Sequence, residues 1–124
     1  MSVRAEKVGS FIKEELGQFF ERNFLMEEYG LMTVTEVRMS PDLRIAKVYV
    51  SIYGDTARKQ KSMFMLETQK PAIRSALGKV LHLRFVPSLT FVLDESVDRA
   101  MKLEMLFKQI HNEKKDITEG DDSK

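Results

Sequence analysis

The chain has no cysteine among its 124 residues, only three prolines, and no long apolar run. Without cysteine it can form no disulfide, use no thiolate nucleophile and hold no cysteine-ligated metal, which fits a reducing compartment. No stretch approaches the ~20 consecutive apolar residues that span a bilayer. The N-terminal residues carry acids within the first turns and lack the apolar run of a signal peptide. These absences favour a cytoplasmic protein with no membrane partner.

Residues that usually build catalytic sites are also scarce. There are two histidines, His82 and His111, and a lone histidine in such places is usually structural or solvated. The glycines form no phosphate-binding loop or dinucleotide pattern. Asp94, Glu95 and Asp98 cluster at the start of a predicted helix, where the helix dipole stabilises negative charge without any catalytic purpose. We therefore expect no enzyme, with no catalytic residue, metal, cofactor or small-molecule substrate.

Apolar periodicity predicts a helix followed by a hairpin in the first half of the chain. Apolar residues recur every three or four positions over residues 3–24, which is typical of an amphipathic helix. Two strands follow, Met32–Met39 and Ile45–Tyr53, and the second alternates apolar and polar residues. Ser40-Pro41-Asp42 between them has turn chemistry, so the strands should pair antiparallel and be covered on one face only.

The second half predicts two helices that meet at a proline, then a strand and a last helix. The first of these helices covers residues 57–69, and Pro71 begins the next, because proline suits a first helical turn and breaks a helix interior. A third strand contains Leu89, Phe91 and Leu93, and a last helix begins near Ser96. From Glu113 the sequence is polar. We therefore expect one domain over residues 1–112 and a disordered tail over 113–124.

This order of elements predicts an α+β fold. Helix, strand, strand, helix, kink, helix, strand is the arrangement of a type II KH-like domain, with a three-stranded sheet packed by helices on one face and a C-terminal helix added. A KH site carries Gly-x-x-Gly between its paired helices to clamp a nucleotide backbone, and no glycines here have that spacing. Any RNA contact should therefore be made to the backbone of structured RNA.

Positive charge is concentrated in residues 58–84 of a chain whose net charge is only +1. This segment holds one acid, Glu67, and seven basic residues, Arg58, Lys59, Lys61, Lys70, Arg74, Lys79 and Arg84. Since Lys70 and Arg74 are four apart they share a helix face, and Gly78 follows one turn later, where a backbone could approach. An ordinary solvated helix face is the alternative. A run of cations with almost no acids favours RNA.

Two sequence blocks resemble the bacterial ribosome-binding factor A family. The first block is Met39-Ser40-Pro41-Asp42-Leu43 followed by Ala46-Lys47-Val48-Tyr49-Val50, and the second is Ile73-Arg74-Ser75, Leu77-Gly78-Lys79, Leu83-Arg84, Val86-Pro87 and Leu89-Thr90-Phe91. The likeness covers roughly residues 3 to 110. Two segments depart from it. Gln69-Lys70-Pro71 stands where many members have Ala-x-Gly at the kink, and Met26-Glu27-Glu28-Tyr29-Gly30 stands where the family often has an Asp-Pro-Arg turn.

The resemblance implies a function in ribosome biogenesis. It implies a non-enzymatic factor of the bacterial cytoplasm that binds the free small (30S) subunit and assists late maturation, including processing of 16S rRNA near its 5′ end. We expect a monomer that contacts the rRNA. The predicted RNA-binding residues are Lys70, Arg74, Lys79 and Arg84, helped by Arg58 and Lys59, with Arg38 and Arg44 added from the hairpin.

A second hypothesis stays open at this point. The chain could be a protein-interaction module that recognises a ribosomal protein without touching RNA, through an apolar patch around Tyr49 and Tyr53 on the outer sheet face. Ribonuclease treatment separates the two, because a contact made only to protein should survive it. Binding to RNA phosphates should instead weaken steeply as salt rises.

Overall fold

A computed structural model describes the backbone of residues 3–122, and the side chains of residues 3–96 and 98–112. Residues up to Asp94 form one compact unit, and residues from Glu95 onward form another. The elements are helices α1 (Val3–Asn23), α2 (Met26–Tyr29), α3 (Thr56–Val80) and α4 (Ser96–Asp122), and strands β1 (Met32–Met39), β2 (Ile45–Ile52) and β3 (Ser88–Leu93). The predicted α+β class is confirmed.

The sheet has three strands in the order β1-β2-β3. β1 and β2 form the predicted antiparallel hairpin, with Met39 opposite Ala46. β3 pairs parallel to β2, with Ser88 opposite Ile45, so the third strand lies at an edge and β2 is central. A β-bulge between Val34 and Glu36 leaves one residue of β1 out of register.

The core of the first unit lies on one face of this sheet. Alternate residues of β2 are buried, and the residues between them are more exposed, as the apolar alternation predicts. Helices α1 and α3 cover the buried face. Ile12, Leu16 and Phe20 form the buried stripe of α1. Each such side chain stabilises the fold by about 1.5–3 kcal/mol relative to full exposure.

Helix α3 is continuous, so the prediction of two helices meeting at Pro71 is wrong. It runs for 25 residues with Pro71 inside it, and Asp55 caps its start by accepting a hydrogen bond from the Arg58 amide at 2.8 Å. A proline inside a helix costs about 3 kcal/mol. Leu66 before the proline and Ile73 after it are both fully buried. Their burial, with that of Leu77, offsets the cost and keeps the helix continuous across the proline.

The segment after α1 and the C-terminal boundary of the domain were also predicted from the sequence. The segment after α1, predicted as a simple turn, contains the short helix α2, whose end at Gly30 adopts a positive φ of 78°. The predicted domain boundary at residue 112 falls within α4, whose backbone continues to Asp122. The side chains of residues 113–122, and all of residues 123 and 124, lie outside the described part of the chain. Disorder of the segment 113–124 therefore stays a prediction.

Candidate nucleic-acid interface

The basic residues of α3 do not share one face of the helix. Lys61 and Lys70 are nine positions apart, which is two and a half helical turns, so they lie on opposite sides. Arg74, one turn beyond, shares the side of Lys70. Lys79 is five turns from Lys61 and shares the other side. The local excess of positive charge is thus divided between two sides of α3, and Lys70 and Arg74 share one of them.

Two of these lysines contact the protein's own acids and aromatic rings. Lys70 forms an ion pair with Glu67 at 2.8 Å, and its ammonium lies 5.7 Å from the centre of the Phe91 ring in β3. On the opposite side, Lys61 lies 3.7 Å from a carboxylate oxygen of Glu28 in α2. Each of these two lysines therefore already has an acidic partner within the protein.

Arg74 holds the loop that joins α3 to β3. Its Nε donates to the carbonyl of Pro87 at 3.1 Å, and its Nη2 donates to the carbonyl of Val86 at 2.9 Å. The planar guanidinium suits this arrangement because its N–H groups form a rigid fork. One turn later, a Cβ added to Gly78 would lie 3.0 Å from the Val86 side chain. The close approach predicted at Gly78 is therefore made by the chain's own loop.

The remaining predicted residues of α3 lie near its two ends. Arg58 is exposed in the first turn, and its Nη2 donates to the Glu27 carbonyl at 3.4 Å. Lys59 beside it is partly buried. Lys79 is exposed in the last turn, where a positive charge complements the helix dipole. Because Lys79 lies at the opposite end of α3 from Arg58 and Lys59, the three residues form no single cluster.

A compact basic and aromatic cluster lies instead at the end of the sheet. The guanidinium carbon of Arg44, in the β1–β2 turn, is 4.7 Å from the centre of the Phe85 ring. That of Arg84, in the α3–β3 loop, is 5.4 Å from the same centre. Both arginines are exposed, and Phe85 itself is 50% exposed. We call Arg44, Arg84 and Phe85 the turn–loop platform.

Parallel pairing of β2 and β3 brings the two halves of this platform together. The Ser88 amide donates to the Arg44 carbonyl at 2.8 Å, at the point where both strands begin. Parallel strands start at the same edge of a sheet, so the segments that precede them become neighbours. Arg44 and Phe85 are thus adjacent in space although about 40 residues separate them in the sequence.

The turn that carries Arg44 is held by its own polar side chains. Ser40 Oγ donates to Asp42 Oδ1 at 2.6 Å, and the Arg44 amide donates to the same oxygen at 3.1 Å. These two hydrogen bonds stabilise the carboxylate, the one from the Ser40 hydroxyl more than the one from the Arg44 amide, and so lower the pKa of Asp42 below its ordinary value. Leu43 takes a positive φ of 62°, which is unusual for a residue with a side chain. The turn chemistry predicted from Ser40-Pro41-Asp42 is confirmed.

A second group of cations lies on the outer face of the sheet. Arg38 of β1 pairs directly opposite Lys47 of β2. Both lie over the Tyr49 ring, at 5.4 Å and 5.6 Å from its centre. Arg38 also forms an ion pair with Glu36 at 2.8 Å, and hydrogen bonding to that carboxylate raises the pKa of Arg38. We call Arg38, Lys47 and Tyr49 the outer-face group.

The predicted site residues therefore lie in several separate places on the protein. Arg44 and Arg84 meet at the turn–loop platform, and Arg38 lies in the outer-face group. Sequence reasoning missed Phe85, Lys47 and the aromatic contact of Tyr49. The signal for Phe85 was an aromatic residue next to arginine in a loop, where no apolar period requires it to be buried.

Among the residues that the structure describes, no group of three or more histidine, aspartate or glutamate side chains could hold a metal ion. No helix in the same range is both long and apolar enough to cross a membrane.

Comparison with known proteins identifies one family. A profile of the Ribosome-binding factor A family matches residues 4–107. The ribosome-binding factor A of Macrococcus caseolyticus is 36% identical over 114 residues, which cover 92% of this chain and 100% of that protein.

Solved structures agree with this match. The solution structure of a putative ribosome binding factor A from Thermotoga maritima is 25% identical, with a TM-score of 0.65, over 77% of this chain and 92% of that one. The crystal structure of ribosome-binding factor A from Thermus thermophilus shares the fold at 21% identity, with a TM-score of 0.63, over 72% and 94% of the two chains.

A further match is to a homology model of the Thermus thermophilus ribosome binding factor A, fitted into the cryo-electron microscopy map of a 30S–ribosome binding factor A complex. It shares the fold at 22% identity, with a TM-score of 0.61, over 70% of this chain and 91% of that one. The region that the family profile matches includes both strands of the hairpin, α3 and β3. This chain belongs to the ribosome-binding factor A family.

Proposed function

We propose that this protein binds the free small ribosomal subunit through its rRNA and assists late maturation of that subunit, including processing of 16S rRNA near the 5′ end. Family membership supports the ribosomal part of this proposal. The relative from Thermus thermophilus, of which a homology model was fitted into the map of a 30S complex, supports the small subunit as the partner. The protein acts in the cytoplasm as a monomer, without a cofactor and without catalysing a reaction itself.

The turn–loop platform is the observation that supports RNA as the contact. Two exposed arginines flank an exposed aromatic ring, and arginine binds phosphate with two parallel hydrogen bonds. The outer-face group extends the positive surface along the sheet through Arg38 and Lys47. An arrangement of this kind binds the RNA backbone and stacks on bases, and it needs no Gly-x-x-Gly clamp.

The residues predicted on α3 take secondary places in this proposal. Lys70 contacts the Phe91 ring of β3, and Arg74 holds the loop that carries Phe85, so neither is assigned a direct RNA contact. Lys79, Arg58 and Lys59 add a diffuse positive field that speeds association and depends strongly on salt.

Co-sedimentation with purified subunits tests the binding. The protein should pellet with free small subunits in low salt, and the bound fraction should fall steeply as salt rises. Limited ribonuclease treatment should release it. Cells depleted of the protein should accumulate 16S precursor with an extended 5′ end, which restored expression should remove. Binding that is indifferent to both salt and ribonuclease would contradict the RNA contact.

The alternative of a purely protein-binding module finds weaker support in the structure. Tyr53 is 71% exposed, as an apolar contact would require. Tyr49, however, is partly buried and has the cations of Arg38 and Lys47 over its ring. The two tyrosines therefore do not form the open apolar patch that this hypothesis needs.

A further inference from the structure

We infer that Phe85 is a stacking site for an unpaired RNA base, with Arg44 and Arg84 neutralising the phosphates on either side of that base. This inference rests on the proposed contact with rRNA and adds to it the chemical class of nucleotide that is bound. A base would stack on the exposed part of the Phe85 ring. A guanidinium displaced from the ring by the base would then pair with an adjacent phosphate.

The first observation that carries the inference is that the loop is anchored next to Phe85, while the Phe85 ring itself stays 50% exposed. Pro87, two residues on, is fully buried. Val86 packs against Gly78, and Arg74 donates to the carbonyls of both Val86 and Pro87. The backbone that follows Phe85 is thus held in place. A loop held in this way loses little conformational entropy on binding, which favours a stacking platform.

The charge around the ring favours a base over an apolar group of a protein partner. Both guanidinium groups within 6 Å of the ring centre are positive, and no acid lies between Leu81 and Ser88 in the loop sequence. A protein partner would have to leave two arginines next to its apolar anchor. A nucleotide instead offers a π face to the ring and a phosphate to each arginine.

Unpaired bases are the suitable ligand because paired ones are inaccessible. In an RNA helix the bases stack on each other and their faces are covered. Single-stranded loops, bulges and ends present free faces. The inference therefore assigns the platform to an unpaired nucleotide within or beside the structured rRNA that the rest of the surface binds.

The chain offers a matched control for testing this site. It contains no tryptophan, so Phe85→Trp introduces a single fluorescent reporter that can also stack. Phe64 is another exposed phenylalanine, at 74% exposure on α3, and Phe64→Trp places the same reporter away from the platform. Phe85→Leu and Phe64→Leu keep apolar bulk and remove the aromatic face.

Four measurements on purified free small subunits follow from the inference. Phe85→Leu should weaken binding by about 5- to 150-fold, the range for loss of one base–aromatic stack. Phe85→Trp should retain binding, and its fluorescence should be quenched when subunits are added. Phe64→Leu should bind like the parent protein, and Phe64→Trp should keep its fluorescence. Circular dichroism should show that all four variants are folded.

Crosslinking identifies what lies on the ring. A photoreactive phenylalanine analogue at position 85 should crosslink to an rRNA nucleotide that is unpaired in the subunit. A crosslink to a ribosomal protein, or to a base-paired nucleotide, would overturn the inference. So would parent-like affinity of Phe85→Leu together with unquenched Phe85→Trp.

The same experiments separate this inference from the proposed function. Salt-dependent, ribonuclease-sensitive binding of the parent protein with no effect at Phe85 would overturn the stacking site and leave the proposed function standing. Failure of the parent protein to bind free small subunits would overturn both.

Discussion

Helix α3 and the turn–loop platform carry similar residues but use them differently. On α3, Lys61 and Lys70 contact neighbouring carboxylates, and Arg74 holds two carbonyls of its own loop. At the platform, the two arginines lie over an exposed ring and are themselves exposed. The basic residues of α3 are close together in the sequence but lie on different sides of the helix. Arg44 and Arg84 are far apart in the sequence but close together in the structure.

This comparison shows that basic residues close together in the sequence do not necessarily lie on one surface of the folded protein. A helix distributes neighbouring residues around its axis, so a basic segment of 25 residues inevitably points in several directions. Strand pairing does the reverse and joins residues that are distant in the sequence. The surface proposed to meet RNA is therefore set by the parallel register of β2 and β3 more than by local composition.

The largest expected effect compares two double variants that remove equal charge. Arg44→Gln with Arg84→Gln should weaken binding to free small subunits by about 2–4 kcal/mol, because each arginine loses charge-assisted hydrogen bonds to phosphate. Lys61→Gln with Lys70→Gln should weaken it by less than about 1 kcal/mol, since those lysines already have partners. Equilibrium binding at fixed ionic strength measures both, and equal losses would remove the distinction between the two regions.

Replacing Arg74 should lower the stability of the fold, whereas replacing an exposed cation should leave stability nearly unchanged. Arg74→Met removes both hydrogen bonds to the loop and should lower the free energy of unfolding by about 1–3 kcal/mol. Lys79→Met removes the same charge from an exposed position and should change stability by less than about 0.5 kcal/mol. Urea unfolding measures both variants. Arg74→Lys keeps the charge without the planar fork, and full stability of that variant would contradict a structural role.

Pro71 should destabilise α3, and burial of core residues on both sides of it should offset that destabilisation. Pro71→Ala should raise the free energy of unfolding by about 1–2 kcal/mol, because it restores a backbone donor and removes a steric clash, partly offset by a more flexible unfolded chain. Pro71 is exposed, so binding should change little. Thermal unfolding checks the prediction. A loss of stability would show that α3 needs the proline where it stands.

The smallest expected effect concerns pH and the turn that carries Arg44. The pKa of Asp42 is lowered by hydrogen bonds from Ser40 and from the Arg44 amide. The carboxylate therefore stabilises the folded turn fully above its unfolded-state pKa, and this contribution is lost as the pH falls through the lower folded-state pKa, below about pH 4. The Arg44 amide resonance should titrate there in NMR spectra. A titration midpoint above the pKa of an unfolded aspartate would contradict the lowered pKa of Asp42.

Much of the fold was predictable from sequence because its signals are local. Alternation in β2 and three-to-four spacing in α1 each reflect a single buried face, and the structure confirms both. Pro71 misled the prediction because a local cost of helix breaking competes with burial of Leu66 and Ile73, which depends on tertiary contacts. The parallel pairing of β3 with β2 could not be predicted for a similar reason, since the sequence of one strand does not specify its pairing partner.

The candidate site was less predictable than the fold. Arg44 and Arg84 were identified as basic residues, yet nothing in either segment indicates that they meet at Phe85. Arg74 looked like a ligand-binding arginine, and only the structure reveals the two carbonyls that it holds. A side chain's partners come from other parts of the chain, so residue type and spacing alone cannot assign its role.

The salt dependence of binding to free small subunits tests the central claim most directly. A plot of log affinity against log salt has a negative slope, and its steepness should decrease by about 1.4–1.8 when Arg44 and Arg84 are both replaced by glutamine, since each phosphate contact contributes about 0.7–0.9. The slope for the Lys61 and Lys70 double variant should match that of the parent protein. A slope that becomes less steep in the α3 variant and stays unchanged in the platform variant would contradict this account.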